Sequence, residues 1–171
     1  MDVLEAIKQR RSIRQFTEQA IERELLERIL DAARWAPTAG NQQRWRFTVV
    51  TDPTVKEMVR KVSPGIFATP AAFIVICAER APDASAWDEW TYLADCAVAA
   101  QNIILAAHAL GLGSCVAISY ARTALKEVLD IPDQVNPELI VTLGYPAEDP
   151  APPPRLPLSQ IVFADRYRKE W

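Results

Sequence analysis

The sequence predicts a single domain that contains both helices and strands. Its 171 residues fit the usual size of one domain. Stretches with helical spacing of apolar residues alternate along the chain with short apolar runs rich in β-branched residues, which are typical of buried strands. Half of the residues are hydrophobic and 24% are charged, so the composition favours a folded globular chain over a disordered one.

The first half of the chain predicts three helices and two strands. An opening helix follows Asp2, a suitable N-cap residue. A second helix is predicted over residues 22–35, where Leu and Ile recur at helical spacing and Pro37 prevents continuation. The remaining predicted elements here are a strand over residues 47–50, a helix that starts at Pro53 and a buried strand over residues 72–78.

The second half contains the strongest helical pattern, over residues 92–110, and Gly111 is suited to end that helix. One face of this helix is rich in alanine, so neighbouring elements can approach closely, and we expect it at the centre of the core or of a subunit interface. That face consists of Ala97, Ala100, Ile104 and Ala107. The remaining predicted elements are a strand over residues 114–119, a helix over 123–129 and a strand over 139–143.

The last 22 residues, 150–171, differ from the rest of the chain. Five prolines between Pro150 and Pro157 rule out a helix or an inner strand there, so this segment is predicted to be an extended arm. The arm ends in three aromatic residues that need a surface to cover them, and a second subunit is a natural place. These residues are Phe163, Tyr167 and Trp171.

Composition excludes several function classes. The formal net charge of −3 argues against a general nucleic-acid binder. The longest apolar stretch, residues 96–110, is interrupted by polar residues and is shorter than a membrane span. Three widely spaced cysteines, a single histidine and scattered acidic residues predict neither a disulfide framework nor a metal site. The N-terminus lacks the apolar core of a signal peptide, so we expect a cytoplasmic protein.

A basic cluster follows the opening helix. It combines three guanidinium groups with one hydroxyl within five residues, and arginine matches phosphate oxygens through paired hydrogen bonds. A solvated basic surface is the alternative interpretation, and spacing alone does not decide between them. The cluster consists of Arg10, Arg11, Ser12 and Arg14.

A polar loop, residues 36–45, joins the second helix to the first strand. Its amide side chains each present a donor beside an acceptor, which suits hydrogen bonding to a planar heterocycle. A simple capping turn is the alternative, because Thr, Gly and Asn are common in turns.

Two other candidate motifs favour structural roles. Gly111 and Gly113 lie after a helix and before a strand, the reverse of the dinucleotide-binding order, so we expect them to cap the helix. His108 lies within a helix and Cys115 within an apolar strand, so we expect a core histidine and an inert buried cysteine. The sequence thus predicts an anion site in the basic cluster and a loop of amide side chains, but no nucleophile. An enzyme of this kind takes its chemistry from a cofactor.

Taken together, four motifs resemble the FMN-dependent nitroreductase family in their order and spacing, over nearly the whole chain. The motifs are RRSIRQF, APTAGNQQRW, AAQNIILAAHALGLGSCVAIS and LGYPAE. The resemblance implies an α+β fold with a central mixed, largely antiparallel sheet flanked by helices. It also implies an intertwined homodimer with exchanged C-terminal arms and one FMN at each of two interfacial sites.

The resemblance implies roles for individual residues. Arg10 and Ser12, with Arg11 beside them, would hold the FMN phosphate, and Arg14 would lie near the ribityl chain and the pyrimidine edge. Arg155 matches a C-terminal arginine that closes on the phosphate. The polar loop of the other subunit would touch the flavin through Pro37, Thr38, Ala39, Asn41 and Gln43. Main-chain contacts along the ring edge would come from Val116, Ala117 and Ile118.

The chain departs from the family pattern at a few positions. Arg44 stands where proline often precedes the tryptophan of the second motif, and Pro153 stands where a lysine often precedes the C-terminal arginine. The region between Lys61 and Pro70 is too short to place further flavin contacts. Trp87, Trp90 and Tyr92 lie where family members carry a variable cover over the flavin, and either stacking on a substrate or packing at the dimer interface fits them.

The resemblance implies an oxidoreductase in which NADH or NADPH reduces FMN and a small-molecule acceptor, such as a nitro compound or a quinone, then replaces the nicotinamide in ping-pong kinetics. No catalytic side chain is expected, because FMN carries the chemistry. The alternatives are an FMN-binding protein of low turnover, acting in storage or sensing, and a relative that consumes its flavin or dehalogenates a substrate.

Overall fold

A computed structural model describes residues 2–171 and is built around an antiparallel sheet. Its strands are β1 (Trp45–Val50), β2 (Ala72–Glu79), β3 (Gly113–Ala117) and β4 (Val135–Gly144), in the order β1-β2-β4-β3. All three pairings between neighbouring strands are antiparallel. A parallel bridge joins Ser12 to Ser114 at the outer edge of β3. The expected α+β fold with a mixed, largely antiparallel sheet is therefore confirmed.

The described residues form six α-helices, and three of these begin at a residue whose side chain caps the helix. The six helices are α1 (Val3–Gln9), α2 (Arg23–Arg34), α3 (Pro53–Lys61), α4 (Ala86–Ala109), α5 (Arg122–Val128) and α6 (Leu158–Ile161). Asp2 caps α1 as expected, accepting from the amides of Leu4 and Glu5. The predicted start of α4 at Tyr92 was wrong, because Ser85 and Asp88 form a capping box that begins the helix at Ala86.

Two strand predictions also need correction. β3 ends at Ala117, so Ile118 and Ser119 lie beyond the strand that was predicted to extend over residues 114–119. β4 is twice as long as predicted and includes Pro137, which pairs with Cys77 next to a register shift in the pairing of β2 with β4. A bulge of this kind accommodates a proline inside a sheet.

The core lies on both faces of the sheet. Helices α2 and α4 pack on one face, where Ile29 and Ile103 belong to the same buried cluster as Ile74 of β2. Helices α3 and α5 pack on the other face, around Val75. Successive side chains of β2 thus enter opposite clusters, which explains its continuous apolar sequence. The alanine-rich face of α4 lies in the first cluster as expected, except that Ala97 is exposed.

The C-terminal arm extends away from these clusters. Residues 151–161 are all exposed, and the proline-rich run is extended as predicted. The arm is not extended throughout, however, because residues after the last proline form the single turn α6. Large apolar side chains of the arm are exposed, among them Leu156, Leu158, Ile161, Tyr167 and Trp171.

Among residues 2–171, no helix has the length and apolar character needed to cross a bilayer.

Candidate active site

The basic segment, residues 10–17, carries the basic cluster and packs directly on the ends of β3 and β4. The Ile13 amide donates to the Ser114 carbonyl and the Thr17 amide to the Tyr145 carbonyl, each at 2.9 Å. A methyl group added at Gly113 would lie 2.8 Å from the side chain of Ile13. Gly113 therefore provides space for this segment rather than capping a helix as expected.

A similar close approach occurs one strand away. A methyl group at Gly144 would lie 2.7 Å from the ring of Phe16. Gly111, by contrast, has a φ of +80° just after α4, so it does act in ending that helix. The glycines at the ends of β3 and β4 thus fix where the basic segment lies against the sheet.

A cavity of about 240 Å³ opens beside this segment. Arg14 and Phe16 form one wall, and the end of β3 forms another. The turn after α3 forms the third wall. The complete lining is Arg14, Phe16, Gly65, Ile66, Phe67, Ala68, Cys115, Val116, Ala117, Ile118, Ser119 and Thr142. The structure therefore brings four of the predicted site residues together: Arg14, Val116, Ala117 and Ile118.

Main-chain groups of β3 border this cavity on an open edge. β3 is the last strand of the sheet, and the carbonyl of Ser114 points outward to Ile13. In an antiparallel strand every second residue directs its N–H and C=O to the same side. The main-chain groups of Val116 therefore point to the open edge, where a ligand can meet them.

The turn after α3 was missed as part of the site. Residues 65–68 line the cavity. From the sequence alone, the region between Lys61 and Pro70 is too short to place further flavin contacts there. The turn is held against the end of β3, because a methyl group at Gly65 would lie 2.9 Å from the side chain of Ser119. The Pro64-Gly65 pair signals a turn, but nothing local indicates what the turn faces.

The other members of the basic cluster lie at the end of α1. Arg10 is the C-cap residue, and Ser12 forms the bridge to β3. Arg11 donates to the carbonyls of Lys8 and Arg10 at 2.8 and 2.9 Å and lines a second cavity next to His108. Burial, followed by the charges of Arg10 and Arg11, lowers the pKa of His108 below its usual value. Two guanidinium groups thus lie near His108 at this helix end.

His108 is only half-buried, which differs from the core position expected for it. Its Nε2 atom is buried without a hydrogen-bond partner in the described structure.

The polar loop has an unusual backbone. Gly40, Asn41 and Gln43 all have left-handed φ values, between 51° and 57°. For Gln43 this conformation carries strain, and such strain is often found at functional sites. Hydrogen bonds hold the loop in this shape: the amide of Gln43 donates to Thr38 Oγ1 at 3.1 Å, and that of Ala39 donates to Asp95 Oδ1 at 3.1 Å.

Asp95 links this loop to α4, so its removal should loosen the loop. We expect Asp95→Ala to lower the free energy of unfolding by about 1 kcal/mol, because the Ala39 amide loses its acceptor. Asp95→Asn keeps an acceptor oxygen and should cost less. Urea denaturation measures both, and equal losses in the two variants would contradict this role.

The remaining predicted residues do not reach the cavity within one chain. None of Pro37, Thr38, Ala39, Asn41 and Gln43 is part of its lining. Arg155 lies on the exposed arm, where it donates to the carbonyls of Pro153 and Pro154 at 3.5 and 3.3 Å. Their expected contribution from, or across, a second subunit stays a prediction.

The three aromatic residues near the start of α4 separate into two groups. Tyr92 is 4% exposed and belongs to the core, with the guanidinium of Arg44 at 5.8 Å from its ring centre. Trp87 and Trp90 are 76% and 73% exposed. Tyr92 therefore cannot cover a ligand, and the choice between substrate stacking and subunit packing concerns the two tryptophans.

The cysteines differ in accessibility. Cys77 and Cys96 are buried, and burial raises the pKa of each thiol to about 12. Cys115 was expected to be buried too, but it is half-exposed and lines the cavity. It is the middle residue of the edge strand β3.

These differences predict the order of thiol modification. Ellman's reagent should label one thiol per native chain promptly and the other two only after unfolding, because protonated buried thiols do not react. Cys115→Ser should abolish the prompt reaction. Prompt labelling of two or more thiols in the native protein would contradict the described packing.

Within residues 2–171, no group of three or more His, Cys, Asp or Glu side chains is arranged to hold a metal ion. The lining of the first cavity combines one arginine with small polar and apolar side chains.

Comparison with known proteins is consistent with this arrangement. A protein of Methanothermobacter thermautotrophicus named "Putative NADH dehydrogenase/NAD(P)H nitroreductase" is 39% identical over 160 residues, which is 88% of this chain and 80% of that protein. The FMN reductase (NADPH) of Bacillus subtilis is 30% identical over 185 residues, covering 97% of this chain and 74% of that protein.

The fold also has counterparts among solved structures. A nitroreductase family protein from Clostridium difficile 630 superimposes with a TM-score of 0.84 and 27% identity, covering 97% of this chain and 99% of that one. The model of the nitroreductase family matches residues 7–66 and 55–145, which include the basic segment, the polar loop and the cavity. The chain therefore belongs to the nitroreductase family and is an oxidoreductase.

Proposed function

We propose that this protein is an FMN-dependent oxidoreductase that uses NADH or NADPH to reduce nitro compounds, quinones or related small acceptors in the cytoplasm. The names of the relatives support a nicotinamide-dependent reductase, and one of them is an FMN reductase. The observation that carries the proposal is the cavity between Arg14 and the open edge of β3.

The chemistry of these residues fits FMN. A phosphate near charge −2 suits several arginines, and the end of α1 supplies them. Arg10 and Ser12 would hold the phosphate, with Arg11 beside them. The cavity is lined largely by apolar side chains, which suits a flat aromatic ring. When bound there, FMN supplies hydride transfer between the nicotinamide and the acceptor.

Arg14 would tune this chemistry through its charge. Its side chain borders the cavity, so its guanidinium can stabilise negative charge that develops at the pyrimidine edge of a reduced flavin. The outward main-chain groups of Val116, with Ala117 and Ile118 beside them, would orient the ring edge. No side chain is required as a general acid or base, so no catalytic residue is assigned.

A second copy of the chain would complete the site. Apolar side chains on α1 and α4 are exposed, including Val3, Leu4, Leu93 and Val98. Exposed apolar side chains on two helices that contact each other favour an interface between subunits. We propose a homodimer with exchanged C-terminal arms. The polar loop of one subunit would then contact the flavin of the other, and Arg155 would close on the phosphate.

A visible spectrum of the purified protein tests this function. We expect flavin absorption that NADH or NADPH bleaches within seconds under anaerobic conditions. A yellow colour that persists with both donors would favour an FMN-binding protein of low turnover instead. A colourless, monomeric protein that does not take up added FMN would refute the proposal.

A further inference from the structure

Glu148, in the LGYPAE motif, holds the backbone of the basic segment. Its Oε1 atom accepts from the amides of two adjacent residues, Arg14 at 2.5 Å and Gln15 at 3.0 Å. These residues are more than 130 positions away in the sequence. One carboxylate oxygen that receives two consecutive main-chain amides restrains both the position and the direction of the chain there.

This anchor fills a gap between two backbone attachments. On one side the Ile13 amide donates to Ser114, and on the other the Thr17 amide donates to Tyr145. The Gln15 carbonyl accepts from the Ala147 amide at 2.9 Å. The amides of Arg14 and Gln15 find their acceptor in the side chain of Glu148 rather than in a backbone carbonyl.

The anchored segment separates two cavities. Arg14 and Phe16 line the cavity proposed for FMN, whereas Ile13 and Glu148 line the second cavity, which also contains His108. Glu148 therefore reaches the backbone of Arg14 from the second cavity and is not part of the lining of the first.

We propose that Glu148 is a positioning residue that sets where the Arg14 guanidinium meets the flavin, an inference that rests on the proposed function. Its carboxylate acts through the main chain and has no contact with the cavity lined by Arg14. An acidic residue close to a proposed phosphate site is otherwise unfavourable, because it repels the anion. Its two amide contacts provide a reason for its presence.

The anchor can be tested without any flavin, by measuring amide hydrogen exchange in the FMN-free protein with NMR. Glu148→Ala should accelerate exchange at Arg14 and Gln15 at least about tenfold. Glu148→Gln, which keeps the acceptor oxygen, should restore most of the protection. Asp149→Ala removes the same charge from the neighbouring residue and should leave these amides unchanged. Unaltered exchange in Glu148→Ala would overturn the anchor.

The positioning role is tested by a double-mutant cycle on FMN affinity. Glu148→Ala should raise the Kd for FMN about tenfold in the wild-type background and have little effect when Arg14 is already alanine. An equal effect in both backgrounds would overturn the role in placing Arg14. If the wild-type protein binds no FMN, the proposed function and this role both fail, and the exchange measurement alone still decides whether Glu148 anchors the segment.

Discussion

Replacing both Arg10 and Arg155 with alanine is expected to strip the protein of FMN. Each arginine should contribute about 1.5–3 kcal/mol as a charged hydrogen bond to the phosphate. Loss of either one then raises the Kd by about one to two powers of ten, and the combined variant should purify without flavin. Titration of FMN fluorescence against each single variant and the double variant measures this effect.

A charge-matched control removes two exposed arginines elsewhere. Arg28 lies on the exposed side of α2 and Arg166 on the arm, so the variant with both changed to alanine has the same net charge as the test variant. It should retain FMN, which separates phosphate contacts from general charge effects. Retention of stoichiometric FMN by the Arg10/Arg155 double variant would refute the proposed binding of the phosphate by these two arginines.

Deleting residues 150–171 is expected to weaken the proposed dimer. The deleted arm contains large apolar side chains that are exposed on the single chain, and in the proposed dimer a second copy would cover them. Sedimentation velocity should therefore show a smaller particle. A sedimentation coefficient that corresponds to an intact dimer would count against exchanged arms.

A second variant distinguishes apolar contacts from the mere presence of the arm. Leu156, Leu158 and Ile161, all more than 50% exposed, can be changed to serine with the arm at full length. If burial of these side chains holds the dimer together, the variant should dissociate at protein concentrations where the wild type does not. Folding of each chain should persist, because both buried clusters lie outside the arm.

Much of the fold could be predicted because local patterns and tertiary packing agree. The continuous apolar run in β2 predicts a strand buried on both faces, and α2 ends close to where Pro37 requires. The predictions failed where a distant partner decides the outcome. Pro137 locally disfavours a strand. β4 nevertheless continues through it, because a register shift in the pairing of β2 with β4 accommodates it.

The candidate site was predictable only in part. Arginines close in sequence point to an anion site, and the family resemblance indicates the strand that faces them. Neither reveals the turn at residues 65–68, which becomes part of the cavity only because Gly65 packs against Ser119. The contact of Glu148 with Arg14 could not be predicted either, because an acidic residue just before the C-terminal arm carries no local signal of a backbone anchor.

The basic segment has a further consequence for solubility. β3 is an edge strand, and the bridge from Ser12 occupies part of its outer side. Unprotected edges of sheets can pair with edges of other molecules and begin aggregation. Variants that detach this segment should therefore precipitate more readily than variants that remove only its arginine side chains.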